Sequence, residues 1–112
     1  MTELRAGEDS RPEASPARLE AVVSGRVQGV GFRRYVRNWG RKLELTGWVR
    51  NEPDGTVRLV AEGERAQLDR LVRLLWGGPP PARVEDVVTS WREAEGVFEA
   101  FEISHVPAVG RL

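Results

Sequence analysis

The sequence predicts an α+β fold of two layers, with two helices on one face of an antiparallel sheet. Three observations predict it. Four stretches, and a shorter fifth near the end, are strand-like, while two others carry an apolar stripe at helical spacing. The two middle strands are joined by a Pro-Asp-Gly turn, a hairpin signal, and lie between the two helices. The chain has 112 residues, enough for one domain around one compact core.

In residues 19–24 apolar and other positions alternate, with Leu19, Ala21 and Val23 on one face, which predicts the first strand. The run "GRVQGVGFRRY" follows at 25–35, with three glycines in its first seven positions and then an aromatic and two arginines. Phe32, Tyr35, Val36, Trp39 and Leu43 recur at i, i+3, i+4, i+7 and i+11, one stripe of an amphipathic helix. Gly40 lies inside it and weakens that helix by about 1 kcal/mol relative to Ala. Residues 46–51 and 56–62 read as two strands; between them Pro53 presets φ and Gly55 accepts a positive φ. A second helix is predicted from about 64 to 76, with Leu68, Leu71, Val72 and Leu75 on one stripe, and "GGPPPAR" at 77–83 ends it. Residues 84–91 form a fourth strand, and Phe101 and Ile103 share one face of a short last one. The order β-α-β-β-α-β, with a terminal strand, is the ferredoxin-like sandwich pattern. That arrangement hosts many unrelated activities, so function has to come from the site.

Residues 1–17 hold only Met1 and Leu4 as large apolar residues, with Pro12, Pro16 and mixed charges, so they are expected to be a disordered tail. The domain is expected over 18–106, with a C-terminal tail at 107–112. Net charge is zero, yet residues 18–51 carry eight basic and two acidic side chains. A solvated helix face explains such a cluster, and so does a nearby anion site. The chain has no Cys, and His105 is its one histidine. That excludes a disulfide framework, a thiolate nucleophile and a histidine-rich metal centre within one chain. Neither a membrane-spanning apolar run nor a signal-peptide core is present, so a cytoplasmic protein is expected.

The glycine loop lacks the Gly-Lys pair of a P-loop, and Arg34 stands where a dinucleotide fingerprint needs its third Gly. Glycines nevertheless let successive backbone N–H groups turn inward around an anion. The loop also enters a helix N-terminus, where free N–H groups and the positive dipole end favour negative charge. Arg33, in the first helical turn, can add a two-pronged contact to phosphate oxygens. A tight strand-to-helix turn with no ligand remains the plainer reading of the same glycines. Asn51 is likewise open between a hairpin shoulder and a site residue, and Arg33 is one of sixteen arginines.

"GRVQGVGFR" at 25–33, followed by "GWVRN" and "DG" within 47–55, resembles the two-part signature of the acylphosphatase family. The resemblance spans roughly residues 18–104. It implies hydrolysis of the carboxyl–phosphate anhydride of small acyl phosphates to carboxylate and inorganic phosphate. By position, Arg33 matches the substrate-binding arginine and Asn51 the asparagine that orients the attacking water. The loop Gln28, Gly29, Val30, Gly31 and Phe32 matches the phosphate cradle. No metal and no cofactor are implied; inorganic phosphate or sulfate is expected as a site ligand, and a monomer with no nucleic-acid or membrane partner is expected. The inventory suits this chemistry, because a carboxylate leaves readily and what remains is positioning and charge stabilisation.

Two other functions share the pattern. RNA-binding modules with this element order stack bases on aromatics of the central strands, and "LEAVVSG" and "TVRLVAE" contain none. A catalytically silent relative that binds an anion or a partner would have the same signature. Arg34 and His105 are expected to face solvent, Asp54 to serve its turn, and Tyr35, Trp39, Trp48 and Trp76 to sit in or at the edge of the core. Glu44 stands where the family commonly has Gly. It is expected either to take a strained left-handed conformation or to alter the helix end.

Overall fold

The computed structural model describes residues 15–105. In chain order the elements are β1 (Pro16–Arg26), α1 (Phe32–Lys42), β2 (Thr46–Asn51), β3 (Val57–Glu64), α2 (Arg65–Gly77), β4 (Arg83–Glu93) and β5 (Phe101–Ile103). They form one five-stranded sheet in the order β4-β1-β3-β2-β5. β1 starts two residues ahead of the expected domain boundary, because Pro16 and Ala17 pair with Glu64 and Gly63 of β3. The rest of the predicted N-terminal tail, residues 1–14, and the predicted C-terminal tail at 107–112 lie outside the described residues.

Period-two burial is plain along β1, where Ala17, Leu19, Ala21 and Val23 are buried and their neighbours are not. Val57 and Leu59 of β3 face the same way and meet Phe32 and Val36 of α1 and Leu68, Leu71 and Leu75 of α2 in the core. Trp76 departs from its expected core-edge place and is exposed. It follows Leu75 on α2, so it points about 100° away from the buried stripe. Gly40 is buried, and a Cβ there would come 2.7 Å from the Phe101 ring. The helix loses propensity at Gly40 and gains close packing of β5.

The sheet differs from the expected antiparallel one at its edge. β1, β2, β3 and β4 pair antiparallel, but β5 joins β2 in parallel, with Gly47 opposite Phe101 and Val49 opposite Ile103. The connection from β4 reverses direction and ends at the opposite edge, where β2 already runs the same way as β5. Glu62, 4% exposed, fixes this connection. Its carboxylate accepts hydrogen bonds from the backbone N–H groups of Glu95 and Gly96, at 2.8 and 3.0 Å, and from Arg18 Nε at 2.7 Å. Burial pushes the Glu62 carboxyl up, but these donors together outweigh it and hold the group below its ordinary value.

α1 ends in a Schellman motif: Leu45 N–H donates to the Gly40 carbonyl and Glu44 N–H to that of Arg41, at 2.8 and 3.0 Å. Glu44 takes φ 61°, so the strained alternative is the one adopted. Among the described residues no helix is long and apolar enough to cross a membrane.

Candidate active site

The site begins with how α1 starts. Gly31 occupies the N-cap with φ 83° and ψ 16°, and no side chain caps the helix. Gly29 also has a left-handed φ of 75°. A Cβ at either position would meet nothing within 4 Å, so the dihedral and not the space calls for glycine there. Tyr35 N–H donates to the Gly31 carbonyl at 3.0 Å, which leaves the amides of Phe32, Arg33 and Arg34 ahead of the helical ladder. A left-handed residue followed by a helical one turns successive N–H groups into a shared concavity.

The electrostatics of this end are unusual. A helix N-terminus carries partial positive charge and ordinarily attracts Asp or Glu. The first turn of α1 has no acidic residue and instead holds Arg33 and Arg34. Neither arginine has a hydrogen bond or an ion pair among the described residues. Like charge therefore accumulates at this helix end with no ion-pair partner among the described residues.

A cavity of about 460 Å³ opens at this point, lined by Gly29, Gly31, Phe32 and Arg33. Val27, Ile103, Arg34 and His105 complete the lining. Four of the predicted residues are thus brought together on one cavity, and Gln28, Val30 and Asn51 are not on its lining. Gln28 Nε2 donates to the carbonyls of Glu52 and Thr56, both at 2.9 Å, and so ties the loop to the β2–β3 hairpin. Its Nε2 is thus engaged by the hairpin backbone. Val30 packs against the core.

Asn51 pairs with Val57 across β2 and β3, and Val57 pairs with Val23 of β1. Residues opposite one another in register share a face, so Asn51 points to the helix side of the sheet, as does α1. Its Oδ1 is buried and accepts no hydrogen bond among the described residues. A buried carbonyl oxygen left alone costs about 1–3 kcal/mol, which a bound water donating to it would recover.

Other polar groups have structural work. Tyr35 O–H donates to the Leu74 carbonyl at 2.8 Å, joining α1 to α2, and burial raises its pKa. Asp54 Oδ1 accepts from Thr56 Oγ1 at 2.7 Å and Thr56 N–H at 3.0 Å, and these bonds lower its pKa. It is a turn residue. Among the described residues no group of three or more His, Asp or Glu side chains could hold a metal ion.

Two lining residues were expected in solvent. Arg34 is exposed but stands on the cavity, and the signal for it is its place beside Arg33 in the first turn. His105 left no signal in the sequence, because its neighbours depend on where β5 pairs.

Residues 19–103 match the family model Acylphosphatase. A Salinibacter ruber protein named acylphosphatase is 50% identical over 77% of this chain and 90% of its own length. One from Anaeromyxobacter dehalogenans is 51% identical over 80% of this chain and 97% of its own. The crystal structure of acylphosphatase from Bacillus subtilis superposes with a TM-score of 0.77 at 35% identity, covering 80% of this chain and 99% of that one. A Coxiella burnetii acylphosphatase structure gives 0.70 at 41% identity, over 86% and 100%.

Proposed function

The chain belongs to the acylphosphatase family, and we propose that it hydrolyses small acyl phosphates with its own backbone, Arg33 and Asn51, needing no metal. The observation that carries this reading is a helix N-terminus with no acid in its first turn and no side-chain cap, on a cavity that holds Arg33, which has no partner among the described residues. In this reading the amides from Gln28 to Phe32 and the Arg33 guanidinium hold the equatorial phosphate oxygens, where charge builds up in the transition state. Asn51 Oδ1 accepts a hydrogen bond from the attacking water and aims its lone pair at phosphorus. The new P–O bond forms as the bond to the acyl oxygen breaks, and the carboxylate leaves with the electron pair. Asn is a poor base, and product phosphate or bulk water takes the proton. A carboxylate needs no general acid to leave, so the site is suited to acyl phosphates and not to alkyl phosphate esters. The same reading makes the protein a cytoplasmic monomer.

The test is hydrolysis of benzoyl phosphate, followed by its ultraviolet absorbance, with a chelator present. Metal-independent turnover that is lost in Arg33→Gln and Asn51→Ala is the expected result. Comparable turnover of an alkyl phosphate would contradict the assigned substrate class, and full activity in Asn51→Ala would remove its water-positioning role.

A further inference from the structure

Resting on the acylphosphatase reading, we propose that this site prefers acyl phosphates whose acyl arm carries a second negative charge, with Arg34 as the residue that selects it. The cavity of about 460 Å³ falls within the range of pockets that hold whole small molecules, so it has room beyond a phosphate group. The phosphate already has the backbone amides and Arg33. Arg34 is a second guanidinium on the same cavity, without a partner among the described residues.

Helix geometry separates the two cations. Adjacent residues on a helix point about 100° apart and do not face one another. Arg33 and Arg34 therefore diverge from the start of α1, and a ligand that engages both carries negative charge at two places. Among the described residues no acidic side chain lines the cavity to neutralise either one, and His105 is on the same lining. Elsewhere in the molecule Arg18 and Arg50 each hold a carboxylate at 2.7 Å. At the cavity a carboxylate on the substrate would give Arg34 such a partner. Ile103, half-buried on the same lining, offers the acyl carbon skeleton an apolar contact.

The test compares kcat/KM for benzoyl phosphate with kcat/KM for 3-carboxybenzoyl phosphate, whose rigid ring keeps its carboxylate away from the anhydride. The wild-type protein is expected to favour the carboxylated substrate about tenfold, the size of one partly screened charge pair. Arg34→Gln should bring that ratio close to one, and Arg34→Lys should keep most of it. In the wild type the ratio should also fall as salt rises, a readout that needs no variant. Equal efficiency on both substrates in the wild type, or an unchanged ratio in Arg34→Gln, overturns the selectivity and leaves the acylphosphatase reading standing. Turnover of neither substrate by folded protein overturns that reading itself, and this inference with it.

Discussion

Arg18 and Arg33 lie on opposite sides of the same sheet and show two uses of one side chain. Arg18 is 12% exposed, donates to a buried carboxylate and lies 5.2 Å from the Phe98 ring centroid. Its partner Glu62 receives three hydrogen bonds and pins the connection that leads to β5. Arg33 stands at a helix end of its own sign and bonds to nothing described. The difference teaches what a partner does to the same side chain: paired with Glu62, Arg18 holds the frame in place, and Arg33, with no partner among the described residues, stands on the cavity.

The comparison is sharpest if the two regions fail in different ways. The largest effect is expected for Arg33→Gln, a fall in turnover of about 10²–10³ with weakened phosphate binding and little change in Tm. Asn51→Ala should lower kcat by about a hundredfold while phosphate still binds, as read by calorimetry. Glu62→Ala should do the reverse. It leaves Arg18 without its anion and frees the Glu95–Gly96 connection, costing about 3 kcal/mol in urea unfolding. At a temperature where that variant is folded, its turnover should be near wild type, and a loss like that of Arg33→Gln would break the comparison.

Acid should find the same weak point. The folded Glu62 carboxyl lies below its ordinary 4.5, so its contribution to stability is full above that value. It is lost as pH falls from about 4.5 through the folded pKa, and Glu62→Gln should flatten that part of the stability profile. The smallest effect belongs to neither region. Glu44→Gly relieves a left-handed glutamate and should stabilise by about 1 kcal/mol, raising Tm by about 4–8 °C without changing turnover.

Much of this was legible in the residues. Alternation along 19–24 and the stripe from Phe32 to Leu43 gave two elements their type and their buried faces. Glu44 showed as a conflict between a helix end that wants Gly and a side chain that is not Gly. Part of the candidate site was legible as a loop: Gly29, Gly31, Phe32 and Arg33 are neighbours in sequence and stay neighbours on the cavity. Gln28 was not, because its carbonyl partners lie 24 and 28 residues away. Arg34 read as surface, because exposure and a place on a cavity look alike from sequence.

The sequence by itself determined the element order, the helix N-terminus that carries two arginines, and the conflict at Glu44, since each rests on dihedrals and periodicities within a few residues; the φ of 61° shows which way that conflict resolves. Tertiary structure decided the rest. It set β5 parallel to β2, so that Ile103 and His105 reach the cavity opened by α1. It also left Asn51 Oδ1 buried without a donor among the described residues and made Glu62 a buried anchor. Each of these depends on which strands pair across the sheet, and pairing is fixed by burial of the whole core, which no local stretch encodes.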